Sequence, residues 1–243
     1  MKKQNKKILI TGGAGYIGLN FIFYFLEEKY QICVIDNLST SQPINKLIKK
    51  KIKFFNIDLT NENKVKNFFR KKNFDLIIHL AAFSGVQDFN KNVLKSFNNN
   101  VLSTKNLIRH AFNSNKTKFI LASSAAVYGK VSQNKVDENH KCKPVNYYGL
   151  SKYVCEKIVK NELEKRKVHY GILRYFNVVG SKVNFKIKKK IKSLFDIINE
   201  NIKEKKYKIN INGNNLKTKD GTPERDFIHI KDLCLIHKKT FLY

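Results

Sequence analysis

The stretch Lys7 to Gly18, KILITGGAGYIG, constrains this chain more than any other, because an apolar run breaks into clustered glycines and a second apolar run follows at once. Read in order, it is a strand, a tight turn and the start of a helix. Gly13, Gly15 and Gly18 fit G-x-G-x-x-G, and Gly12, Gly15 and Gly18 fit the wider G-x-x-G-x-x-G. Glycines at these spacings let the backbone turn sharply, approach a pyrophosphate and pack helix against strand. The free N–H groups and the dipole at the start of the helix then favour an anion. A second strand, Gln31 to Ile35 (QICVI), runs directly into Asp36. A carboxylate there can accept both ribose hydroxyls of an adenosine and repels a 2′-phosphate, which favours NAD over NADP. Asp36-Asn37 ahead of Ser39 also suits a plain turn.

The same rhythm continues along the chain. Strands are expected at Lys53 to Ile57, Asp75 to Leu80, Lys118 to Ala122 and Tyr170 to Tyr175, and helices at Ile17 to Lys29, Asn61 to Lys71, Asn92 to Phe112 and Tyr148 to Lys167. Alternation of this kind predicts an α/β fold, a doubly wound (Rossmann) parallel sheet with helices on both faces. Ala81-Ala82, at the end of one strand, are small where bulk would block a ligand at the sheet edge. Beyond Tyr175 the chain reads as Phe176 to Gly180, a basic tract from Lys182 to Lys192, an amphipathic helix from Ser193 to Ile202, a short strand from Lys208 to Asn212, a turn at Lys219 to Pro223, and a final helical piece.

Composition narrows the class. With 243 residues and 42% hydrophobic content the chain can bury a sizeable core. No apolar run approaches the roughly 20 residues of a membrane span, and MKKQNKKILITGG is too short in its apolar part for a signal peptide, so a cytoplasmic location and no membrane partner are expected. Cys33, Cys142, Cys155 and Cys234 are scattered without zinc spacing, predicting reduced, packed thiols and no metal site. The formal charge of +29 would fit a nucleic-acid partner. However, the lysines are spread along the chain among abundant Asn, Ile and Phe, as in a solvated lysine-rich surface, which argues against nucleic acid.

Chemistry-bearing residues gather after the fifth strand. Ser123-Ser124-Ala125-Ala126-Val127-Tyr128-Gly129 closes it, and Tyr147-Tyr148-Gly149-Leu150-Ser151-Lys152 opens the next helix. Tyr148 and Lys152 are four apart and project from one helix face. An ammonium one turn along favours the phenolate, so Tyr148 can serve as a base near neutral pH. A lone Y-x-x-x-K also suits an ordinary surface pair; its meaning here comes from the nucleotide fold and the strand-end serine that precede it.

Together these segments resemble the extended short-chain dehydrogenase/reductase superfamily and, within it, the UDP-glucose 4-epimerase family most closely. The resemblance rests on TGGAGYIG, the Asp36 to Ser39 turn, IIHLAA (Ile77 to Ala82), SSAAVYG, YYGLSK, LRYFNVVG (Leu173 to Gly180) and DGTPERDFIHIKDL (Asp220 to Leu233), in family order over nearly the whole chain. It implies an NAD cofactor held by Gly12, Gly15, Tyr16 and Ile17 at the pyrophosphate, Asp36 and Asn37 at the adenosine ribose, and Asp58 and Leu59 at the adenine. Ala81, Ala82, Asn100 and Phe176 would line the cofactor slot, with Lys152 on the nicotinamide ribose. Ser124 and Tyr148 would handle the proton of a UDP-sugar substrate, and Asn177 and Arg225 would contact its diphosphate. Arg225 equally suits a salt bridge to Asp226 or Glu224. The implied reaction is 4-epimerisation through a 4-keto sugar, and the long helices resemble those through which the family forms homodimers.

Ala125 and Ala126 stand where the related 4,6-dehydratases need an acid pair, so dehydration is disfavoured. Ser84 replaces a lysine frequent in the family, and Asp196 a usual proline. The expected organisation is an NAD-binding domain over 1–180 and a partial substrate-binding region over 181–243, interleaved with it, because the chain stops soon after RDFIHIKDL. A non-catalytic NAD-binding protein, one half of a two-chain enzyme, or another nucleotide-sugar epimerase or dehydrogenase are the alternatives.

Overall fold

The computed structural model describes residues 6–41, 43, 44, 46–84, 89, 92–131, 135–181, 194–206, 208–211 and 213–242. Six parallel strands form the main sheet: β1 (Lys7–Thr11), β2 (Gln31–Asp36), β3 (Lys53–Asn56), β4 (Leu76–His79), β5 (Lys118–Ser124) and β6 (Tyr170–Tyr175), in the spatial order β3-β2-β1-β4-β5-β6. The chain winds outward from β1 to β3, then returns to the other side of β1 for β4. Ligands of such sheets bind at that reversal, beyond the carboxyl ends of the strands.

Helices cover both faces, as the expected fold requires. Along β1, Ile8 and Ile10 point to one face and Leu9 to the other, the period-two alternation of a strand buried on both sides. On the first face α1 (Tyr16–Glu27) supplies Phe21, Ile22 and Phe25, joined by Leu233, Cys234 and Phe241 from α7 (Ile230–Leu242). On the second face lie α3 (Glu62–Phe69), α4 (Val93–His110) and α5 (Tyr147–Lys165), with Val65, Phe69, Leu107, Val159 and Leu163 in the core. A short α2 (Lys46–Lys49) precedes β3. Among the described residues no helix is long and apolar enough to cross a membrane.

Asn61, Asn92 and Asn146 cap α3, α4 and α5 by accepting the backbone N–H three residues on. The first four long helices each end two residues earlier than expected, at Glu27, Phe69, His110 and Lys165, and at two of these ends the backbone shows why. Lys29 and Lys167 take left-handed φ values of 64° and 53°, which a continuing helix forbids. Gly18 allows α1 to lie against the turn before it: a Cβ there would stand 2.5 Å from Gly13 Cα.

The carboxyl-terminal region departs from expectation more. Lys208 to Asn212 carries a strand-like alternation, yet residues 208–211 form no strand, and Ile209 and Ile211 are exposed. An alternating run needs a neighbouring edge to pair with, and here the short pairing is made elsewhere, by β7 (Asn177–Val179) parallel to β8 (Phe227–His229). The amphipathic helix is present as α6 (Leu194–Lys203). The basic tract Lys182 to Lys192 lies outside the described residues.

Candidate active site

A cleft of about 240 Å³ opens where β1 and β4 end. It is lined by Gly12, Gly15, Tyr16, Ile17, Asp36, Asn37, Asp58, Leu59, Ala81, Ala82, Tyr148 and Lys152, so twelve positions from distant parts of the sequence meet there. Gly15 stands at the N-cap of α1 and has no side chain to cap the helix, so this helix terminus faces the cleft without a capping side chain. A Cβ added at Gly15 would meet only Gly12 O, at 3.4 Å, an ordinary contact. Nothing in the fold demands glycine at this position. The space a Cβ would fill lies on the cleft wall, where an anion drawn to the helix terminus must come close.

Asp36 is 9% exposed and already well occupied. Its carboxylate accepts Ala14 N–H at 3.0 Å, Leu38 N–H at 2.8 Å and the Ser41 hydroxyl at 3.0 Å. Of about four acceptor positions on a carboxylate, one is left for a ribose hydroxyl, and a second becomes free if Ser41 swings away. Burial alone would push the Asp58 carboxyl up, but hydrogen bonds from the Thr60 hydroxyl and N–H and from the Asn37 amide outweigh it and hold the group below the usual carboxylate range. Asp36 and Asp58 both line this end of the cleft, and neither the turn Asn37 to Ser41 nor Asp58-Leu59 brings a cation to it.

At the other end, Lys152 is 6% exposed and its ammonium donates to Ala122 O at 2.8 Å. This bond anchors α5 to the end of β5. Tyr148, one turn earlier, is half-buried and packs its ring edge-on to Phe89 at 5.9 Å. Both open on the cleft. Ser124 sits at the end of β5, where its Oγ accepts Ala126 N–H at 3.2 Å and caps a 3-10 turn; the cleft wall itself is made by its neighbour Ser123.

Besides Ser124, four more expected site residues lie off the cleft wall. Asn100 is 1% exposed, with its amide bound to Phe83 N–H and C=O and to Ser151, beneath the wall rather than on it. Phe176 borders a second cavity of about 490 Å³, between β6, β8 and α7. Asn177 donates to Asp226 O at 2.9 Å, and Arg225 donates to the backbone carbonyl of Glu224 at 2.7 Å rather than to its carboxylate. Conversely, Tyr175, Ser41 and Ser103 line the cleft without having stood out in the sequence. Tyr175 could have been found from its place at the end of a strand beside the lysine-bearing helix, since strand ends are where this fold gathers ligands. Its hydroxyl donates to Nε2 of the buried His237, whose Nδ1–H donates to Leu233 O.

Fold and cleft together define a dinucleotide-dependent enzyme of the short-chain type. The chain belongs to the NAD dependent epimerase/dehydratase family, whose model matches residues 8–240. It is 31% identical over 252 residues to the UDP-glucose 4-epimerase of Drosophila melanogaster, covering 96% of this chain and 71% of that protein. With the UDP-glucose 4-epimerase of Dictyostelium discoideum it shares 32% identity over 247 residues, 98% of this chain and 72% of the other. A crystal structure of a UDP-glucose 4-epimerase superposes with a TM-score of 0.85 at 32% identity, over 97% of this chain and 72% of that one. The enzyme from Bifidobacterium longum, solved with NAD+ and UDP, gives 0.84 at 27% identity, over 96% and 72%. The resemblance read from the motifs is therefore the family to which the chain belongs.

Proposed function

We propose that the cleft holds NAD and that the chain carries the oxidising and proton-handling part of a UDP-hexose 4-epimerase. One observation carries this reading: Tyr148 and Lys152 open on the same cleft that Gly15 and Asp36 line, so a base and a dinucleotide site share one space. The uncapped helix start at Gly15 and the anionic adenosine end at Asp36 and Asp58 fit NAD, and relatives have been solved with it.

Bound NAD supplies the acceptor and donor of a hydride at C4 of the sugar. Tyr148 removes the proton of the 4-hydroxyl, directly or relayed by Ser124, and returns it after the 4-keto sugar has turned over. Lys152 keeps positive charge beside the phenolate and, through Ala122 O, keeps α5 in register with the strand end. Asn177 and Arg225 hold the nucleotide diphosphate. On this reading residues 1–180 form the cofactor domain and 181–243 contribute to substrate binding, interleaved with it. The setting is galactose metabolism in the cytoplasm, the surface lysines are solvated rather than nucleic-acid contacts, and α4 and α5 pair two copies through outer faces that expose Leu94, Leu102 and Leu150.

Purified protein is expected to release NAD on denaturation and to interconvert UDP-glucose and UDP-galactose, followed by chromatography of the sugar nucleotides. Tyr148→Phe is expected to lose at least about 100-fold in turnover while keeping NAD, the scale of a lost general base. Equal turnover by that variant would sink the assignment. Because Asn177 and Arg225 bond to backbone around residues 224–226, a second reading has support: an NAD-binding protein without a complete sugar-nucleotide site. Stoichiometric NAD with no turnover would select it.

A further inference from the structure

Below the floor of the cleft runs a row of buried polar groups that the proposed chemistry does not use. Thr11, His79, Thr104 and Asn100 are each 2% exposed or less. Ala81 N–H donates to Thr11 Oγ1 at 3.3 Å, Thr11 Oγ1 lies 2.7 Å from His79 Nδ1, His79 Nε2 lies 3.0 Å from Thr104 Oγ1, and the Thr104 hydroxyl donates to Asn100 C=O at 2.9 Å. Cys155 Sγ, 3.2 Å from Thr104 Oγ1, is the weaker acceptor of the two open to that hydroxyl.

The proton positions follow from the two ends. Thr104 has one proton and gives it to the carbonyl, so its oxygen accepts His79 Nε2–H. Thr11 receives Ala81 N–H, so its own proton goes to His79 Nδ1. Every donor then has an acceptor, all four bonds point one way, and bonds so aligned strengthen one another. Burial, with the Lys152 ammonium acting in the same sense, pushes His79 down to about 3, consistent with the neutral ring this arrangement needs.

The two ends of the row matter for the cleft. Ala81 N–H belongs to the cleft wall, and Thr11 ends the strand that leads into the glycine turn. Asn100 clamps Phe83, farther along the same wall, and Ser151, whose hydroxyl donates to Tyr148 C=O at 2.8 Å. Replacing both partners of such a bond with apolar groups of the same shape can be nearly neutral for stability, so stability alone does not explain why polar groups are kept here.

We propose that His79 is a positioning residue: held between Thr11 and Thr104, it sets the Leu80–Phe83 wall of the cleft relative to both the glycine turn and the helix that carries Tyr148. This role rests on the reading of the cleft as an NAD site. The test is the NAD dissociation constant by calorimetry, beside the ligand-free thermal midpoint, for wild type, His79→Phe, Thr104→Val and Thr104→Ser. NAD affinity is expected to fall about tenfold in His79→Phe and Thr104→Val, the equivalent of one net hydrogen bond, and to return to within about twofold of wild type in Thr104→Ser, which restores the hydroxyl. If His79→Phe does not fold, the Val/Ser pair at 104 decides by the same criterion. Lowered midpoints with unchanged NAD affinity would show a merely structural role and overturn the proposal. Imidazole nitrogen NMR is expected to show His79 protonated at Nε2 and bare at Nδ1; the opposite tautomer also overturns it. Wild type that binds no NAD removes the cofactor reading and this role with it, an outcome distinct from altered variants on a binding wild type.

Discussion

At the scale of single residues, the glycine turn separates two demands that look identical in the sequence. Gly18 is required by packing within the chain, whereas Gly15 has room for a methyl group and a φ of −75° that any residue adopts. Gly15→Ala is therefore expected to change unfolding free energy by less than about 1 kcal/mol, the usual range for such a change at a compatible backbone position. NAD affinity, measured by calorimetry, is expected to drop at least about tenfold, because the methyl group takes the space the pyrophosphate needs. An unchanged affinity would mean that the phosphates lie elsewhere. Both glycines fit the motif equally well; only the neighbours of an added Cβ tell them apart.

At the scale of elements, an ion pair ties together the three that carry Tyr148 and its surroundings. Glu156 on α5, 5% exposed, receives Arg174 of β6 at 2.9 and 3.1 Å and the Ser123 hydroxyl of β5. Arg174 also donates to the Tyr128 hydroxyl at 3.0 Å and to Glu138 C=O at 3.1 Å. Glu156 sits one turn beyond Lys152 and Ser123 immediately before Ser124, so the pair braces the site from behind. Removing one partner leaves the other charge buried and unpaired, so Arg174→Met is expected to cost about 3–5 kcal/mol in urea unfolding. The double variant Glu156→Leu with Arg174→Met is expected to cost clearly less than the sum of the two single changes; strict additivity would deny the coupling. Residues 156 and 174 are 18 apart and lie on a helix and a strand, with no pattern linking them before the fold is known.

At the scale of the whole molecule, the buried histidines make stability depend on pH. Burial pushes His79 down to about 3 and His237 to about 4, against about 6.5 in an unfolded chain. A depressed histidine contributes nothing pH-dependent well above about pH 6.5, where both states are neutral. As pH falls below that value the unfolded chain takes up protons that the folded chain refuses, so stability drops by about 1.4 kcal/mol per pH unit for each histidine until the folded values are reached. Urea midpoints are expected to be level from about pH 8 to 7 and to decline toward about pH 5. Replacing His237 with Gln is expected to reduce that slope by about half, whatever its effect on the midpoint at neutral pH. A slope unchanged by the substitution would contradict the assignment of the titrating groups.

Local periodicity was enough to read β1, the glycine turn, α1, the strand rhythm and the Tyr148/Lys152 face, because each depends on residues a few positions apart. The rhythm points to a doubly wound parallel sheet, but the order β3-β2-β1-β4-β5-β6 is seen only in the structure, because more than one winding buries strands apolar on both faces. Other features depended on contacts across the sheet. Residues 208–211 alternate like a strand but find no edge, while Asn177–Val179 and Phe227–His229 pair although each is only three residues long. Asn100 belongs to the wall's support, and Asn177 and Arg225 to the backbone around 224–226, because hydrogen-bonding groups take the nearest partner the packed chain offers. KILITGGAGYIG specifies that a nucleotide can be held; how firmly depends on His79, 68 residues from Thr11 and joined to it by one hydrogen bond that only packing of β1 against β4 creates.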